Sequence, residues 1–106
     1  LGTLPLSTTA NNTTGNILTQ ATMLAAGALE DFKKETLMDL AVGEYSDPNN
    51  PVDERGNNGG IFRRSWIIDE PIGYDTARRI RVTVSWNRLG KNRSIELATI
   101  TRGGGT

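Results

Sequence analysis

Apolar residues recur at steps of three and four between Asn16 and about Leu40, and at steps of two after Ile61. No other feature constrains the fold as strongly, because each period buries one face in only one kind of element. Leu18, Ala21, Ala25, Ala28, Leu29, Phe32, Thr36 and Leu40 fall on a single stripe of an α-helix. The other faces carry Gln20, Glu30, Lys33, Lys34 and Asp39. Alanines favour the helix and let a neighbour approach, Gly27 costs about 1 kcal/mol relative to alanine, and Gly43 is a natural stop.

Residues 43–60 read as a long loop. Asp47-Pro48-Asn49-Asn50-Pro51-Val52-Asp53 opposes a regular ladder, and Gly56-Asn57-Asn58-Gly59-Gly60 is turn chemistry. Residues 61–101 then read as antiparallel strands. From Ile61 to Asp69, Phe62, Trp66 and Ile68 share a face, and Arg64 and Ile67 interrupt the alternation. From Arg79 to Trp86, Ile80, Val82, Val84 and Trp86 alternate with Arg79, Arg81, Thr83 and Ser85. From Arg93 to Thr101, Ile95, Leu97 and Thr99 oppose Ser94, Glu96 and Ala98. Gly90 marks a hairpin turn between the last two runs, Pro71, Gly73 and Tyr74 mark the connection before them, and 102–106 is a short tail.

The fold class these patterns predict is α+β. One amphipathic helix packs on a small antiparallel sheet of three to four strands, within a single domain spanning 1–106. The predicted core is Leu18, Ala25, Leu29, Phe32, Phe62, Trp66, Val82, Val84, Trp86 and Leu97.

Composition narrows function by exclusion. The 106 residues include 12 Lys plus Arg and 12 Asp plus Glu, a balance that lacks the basic excess of a nucleic-acid binder. With no Cys and no His, neither thiolate metal sites nor triads of the Ser-His-Asp or Cys-His type can form. Glu30, Asp31 and Glu35 alternate with Lys33 and Lys34 as on an exposed helix face, with Glu30 paired to Lys34. No catalytic residue, cofactor or metal is therefore expected. Asp47, Asn49, Asp53 and Glu54 are a calcium candidate whose spacing fails that of an EF-hand loop at Pro51. No stretch approaches the roughly 20 apolar residues of a membrane span.

Three strings carry a resemblance. They are Ala21-Thr22-Met23-Leu24-Ala25 with Ala28-Leu29-Glu30; Phe62-Arg63-Arg64-Ser65-Trp66-Ile67-Ile68; and Arg81-Val82-Thr83-Val84-Ser85-Trp86 followed by Gly90 and Ile95-Glu96-Leu97-Ala98-Thr99. In order and spacing they resemble the periplasmic domain of type IV pilin-like proteins, closest in pattern to minor pilins of the PilV type and to their minor pseudopilin relatives. The resemblance implies a preceding hydrophobic helix that anchors the protein in the bacterial inner membrane, with the domain in the periplasm and later on a pilus at the cell surface. Leu1 to Leu6 would be the tail of that helix. The helix would then run over 7–41, although Ser7 to Asn16 is poor in helix propensity.

The implied function is non-catalytic: a structural subunit that initiates or modifies a pilus used in adhesion and motility, with other pilin subunits as partners. The alternative is a minor pseudopilin of a type II secretion filament. Because the small core needs the helix stripe, Thr14, Ile17 and Thr22 on other faces are the candidate subunit interface. Trp66 and Trp86 alternate with core residues and read as core rather than as ligand-stacking groups. Arg63, Arg64, Arg78, Arg79, Arg81 and Arg88 read as a solvated strand face paired with Asp69, Glu70 and Asp75. The rival reading is a DNA- or ligand-binding accessory module on that face; zero net charge argues against nucleic acid as its partner.

Overall fold

The computed structural model describes residues 13–71 and 76–102, with side chains from Ile17 onward. Helix α1 is Thr13–Lys33, followed by a 3₁₀ turn at Leu37–Asp39. The strands are β1 (Gly43–Ser46), β2 (Phe62–Asp69), β3 (Arg78–Arg88) and β4 (Lys91–Thr101). They form one four-stranded antiparallel sheet in the order β1-β2-β3-β4. The helix lies chiefly across β3 and β4 on one face of that sheet. This is the helix-on-sheet α+β arrangement that the two periods predict.

The core follows from the register. Cross-strand rows on the helix side include Ile68 with Ile80, Trp66 with Val82 and Leu97, and Phe62 with Trp86. Against them pack Ala21, Leu24, Ala25, Ala28 and Leu29, all buried. Phe62, Ile80, Val82, Val84, Val52 and Leu40 are the large side chains with essentially no exposure. Phe32, Trp66 and Leu97 pack at the edge of the core, partly buried. Trp66 stands between Phe32 and Tyr45, with ring centroids 5.3 and 6.2 Å away.

Four expectations need correction or qualification. First, α1 ends at Lys33, short of residue 41. Lys34 and Glu35 donate to the carbonyls three residues back, Asp31 and Phe32, which tightens the last turn. Thr36 then adopts an extended backbone, and its hydroxyl donates to Asp39 Oδ2 at 3.0 Å, a local bond that competes with helix. Leu40 still reaches the core, carried there by the 3₁₀ turn. The expected helical stretch 7–12 lies outside the described residues, as do the connection at Gly73 and Tyr74 and the tail from residue 103.

Second, Leu18 is 48% exposed and Leu24 holds the core position beside Ala21 and Ala25. Leu18 sits on the flank of the stripe at the β3–β4 turn end of the sheet, where it lines an open cavity with Trp86, Leu89 and Ile95 rather than the closed core. Third, Ile17, expected on an interface face, packs partly buried against the core.

Fourth, residues 43–60 are not structureless. Gly43–Ser46 is the edge strand β1. Beyond it, three Asx side chains stand in for backbone partners. Asn50 accepts from Arg64 N–H at 2.8 Å and donates to Arg64 C=O at 3.0 Å, so its amide continues the ladder past the end of β1. Asp47 accepts from Asn49 N–H, and Asp53 accepts from the N–H groups of Arg55 and Asn57. Val52, fully buried, exchanges both backbone hydrogen bonds with Phe62.

Candidate subunit interface

The sheet leaves its second face free of the helix, and the charges on it are largely satisfied within the domain. Arg79 donates to both oxygens of Asp69, at 3.0 and 2.9 Å, a two-pronged geometry that a guanidinium favours. Arg81 reaches the same carboxylate at 3.4 Å. On the helix side, in the row of Ile80 and Val82, Arg78 pairs with Glu70 at 3.3 Å and also donates to the Leu40 carbonyl. Of the six arginines in the sequence cluster, Arg64, Arg78, Arg79 and Arg81 thus engage carboxylates. Asp75, the third expected partner, lies outside the described residues. The helix-face pair is Glu30 with Lys33, at 3.6 Å, rather than with Lys34.

The hydrogen bonds from Arg79, reinforced by the positive charges of Arg79 and Arg81, hold the Asp69 carboxyl below its ordinary 3.8. The same carboxylate holds Arg79 above its own ordinary value. A carboxyl depressed by folding contributes stability that is present above its unfolded value and is lost as pH falls through the folded one. Thermal melts recorded downward from pH 5 should therefore show Tm falling below about pH 4. In Asp69→Asn the fall should be shallower. An Asp69→Asn profile parallel to that of the parent would contradict the assignment.

Arg64 explains the broken alternation in β2. It lies on the helix side of the sheet and turns toward Asp47, donating from Nε at 3.0 Å and Nη2 at 2.7 Å. A third bond runs from Nη1 to the Leu24 carbonyl of α1 at 3.2 Å. One side chain thereby ties β2, the loop after β1 and the helix together. It also occupies one carboxylate of the calcium candidate. Among the described residues no group of three or more acidic side chains converges as a metal site would require.

The outer side of α1 is the other open surface. Thr22, Met23, Ala26 and Gly27 are exposed there, and no atom lies within 4 Å of a side chain added at Gly27. The Thr22 hydroxyl donates to the Leu18 carbonyl of its own helix at 2.9 Å, so its donor is satisfied within the helix. The Thr14 side chain lies outside the described set. No helix among the described residues is long and apolar enough to cross a membrane.

Two concave surfaces flank the helix at its two ends. At its start, a cavity of about 400 Å³ is lined by Ile17, Leu18, Trp86, Ile95 and the β3–β4 turn. At its end, one of about 280 Å³ is lined by Phe32, Tyr45, Trp66 and three carboxylates, Asp31, Glu35 and Asp39. Sequence reasoning missed this second surface because Tyr45 lies in the supposed loop and Asp39 beyond the true helix end. Comparison with family models, curated proteins and solved structures finds no match for this chain.

Proposed function

We propose that this domain is a non-catalytic structural subunit of minor-pilin type, held at the inner membrane by a preceding hydrophobic helix and facing the periplasm. Its partners are other pilin subunits, and its task is to initiate or modify a pilus. The observation that carries the reading is the exposed outer side of α1. A helix that serves only its own core presents charged or polar residues outward rather than Met, Ala and Gly. Here Thr22, Met23, Ala26 and Gly27 form an uncharged strip, suited to a neighbouring subunit, ahead of Glu30, Lys33 and Lys34 and toward the end of the helix that would continue to the anchor. The free face of the sheet supports a nucleic-acid role less well, since its Arg79 and Arg81 are both paired with Asp69 at short range.

Deletion of the encoding gene tests the proposal. The expected result is loss or alteration of surface pili and of pilus-dependent motility, restored by the full-length protein. Loss of protein secretion with intact piliation would assign the subunit to a type II secretion filament instead. Unchanged piliation, motility and secretion would overturn the structural-subunit reading.

A further inference from the structure

The apex of the β3–β4 hairpin is an outlier in backbone and in burial. Leu89 and Gly90 turn the chain with φ of +54° and +80°. Positive φ at both central residues of a two-residue turn suits Asn-Gly or Gly-Gly, and a leucine there costs about 1–2 kcal/mol. The leucine also gains nothing from burial, being 90% exposed. Neither the turn nor the core accounts for a leucine at this position.

Its surroundings are cationic. Arg88, Lys91 and Arg93 flank Leu89 around the apolar floor formed by Ile17, Leu18 and Trp86. No carboxylate is among the described residues lining that surface, and none of the three cations forms an ion pair with a described carboxylate. The tip is therefore a leucine within a cationic ring. The cleft at the far end of α1 is its complement, with aromatic walls from Phe32, Tyr45 and Trp66 and a rim of Asp31, Glu35 and Asp39. No Lys or Arg is among the described residues lining the cleft. Thirteen helical positions separate Leu18 from Asp31, about 20 Å at 1.5 Å each, so tip and cleft of one molecule lie too far apart to meet.

The geometry points to a second copy of this chain as the occupant of both surfaces. The Leu89 tip of one copy enters the Phe32–Tyr45–Trp66 cleft of the next, Arg88 and Lys91 face Asp31 and Glu35, and Arg93 closes the rim. Different surfaces meet, so the contact is heterologous, and repetition gives an open row rather than a closed pair unless the rotation returns on itself. Zero net charge permits such stacking, because the copies do not repel as wholes while their opposed ends attract. This inference rests on the reading of the domain as a filament subunit, and names the surfaces through which its globular part touches the next one.

Sedimentation velocity of the 106-residue chain, from micromolar to millimolar concentration, tests the contact. Association should grow with concentration and weaken with added salt. Arg88→Glu with Lys91→Glu should weaken it about tenfold or more, and so should Asp31→Lys with Glu35→Lys. Mixing those two variants should restore association, because the intact cleft of the first meets the intact tip of the second and the reversed charges of the other two surfaces are again opposite in sign. Leu89→Asn, which suits the turn, should melt higher than the parent and associate less, separating docking from folding. A parent that stays monomeric throughout, a mixture that fails to associate, or a Leu89→Asn variant that associates like the parent would each overturn the contact. None of these results alters the deletion phenotype, so failure of this contact is distinguishable from failure of the subunit reading.

Discussion

Gly60→Ala is expected to destabilise the domain by about 3 kcal/mol, which for a domain of this size lowers Tm by roughly 10–20 °C. The cause is backbone against backbone. Gly60 lies where the chain returns from the loop into β2, and a methyl group there would collide with the Val52 carbonyl and the Asp53 backbone. Those atoms cannot swing aside as a flexible side chain would. Val52 is fixed by two backbone hydrogen bonds to Phe62, and Gly59 and Gly60 both donate to the Pro51 carbonyl. Relief of the collision would open that bridge and expose Val52, which has no exposure in the fold. Gly27→Ala is the matched control, because the space around Gly27 is open and α1 favours alanine. It should raise stability by up to about 1 kcal/mol. Equal melting temperatures for Gly60→Ala and the parent would contradict the described loop.

Arg64→Ala is expected to cost about 3 kcal/mol, through a different mechanism. The Asp47 side chain is 7% exposed and that of Arg64 18%. Removing the guanidinium leaves a carboxylate largely out of water, with only the Asn49 N–H still donating to it. It also releases the link to the Leu24 carbonyl. Asp47→Ala strands the opposite charge and should cost a similar amount. The double substitution should cost less than the sum of the two by about 1–3 kcal/mol, because it removes both charges together. Additive losses, measured by denaturant unfolding, would show that the two side chains act independently.

These sites mark the limit of what the sequence discloses. The period-two runs place Ile80, Val82, Val84 and Trp86 inward correctly, because alternation in a half-buried sheet is a local property. The helical stripe likewise places Ala25 and Leu29. The errors occur where an outcome depends on elements distant in sequence. Leu18 fits the stripe but lines the open cavity at the β3–β4 turn. Ile17 fits an outer face but meets the core. Arg64 looks like a defect in β2 until Asp47, seventeen residues away, is brought beside it. The loop looks unstructured because Asn50, Asp47 and Asp53 supply through side chains the bonds that propensity assigns to backbone. Of the candidate interface, Thr22 is exposed as expected. The Leu89 tip and the aromatic cleft were hidden because each is assembled from separate segments.

Subunit contact through the outer side of α1 can be read by site-specific cross-linking. The chain contains no Cys, so one introduced cysteine is a unique handle. Full-length protein carrying Thr22→Cys or Met23→Cys is expressed in its host, treated with a short thiol-to-amine cross-linker, and its adducts are identified by mass spectrometry. Glu96→Cys, exposed on the free face of the sheet, serves as the comparison position. Adducts with pilin subunits are expected from positions 22 and 23, and few or none from position 96. Pilin adducts absent from the helix positions, or equally abundant from all three, would contradict it.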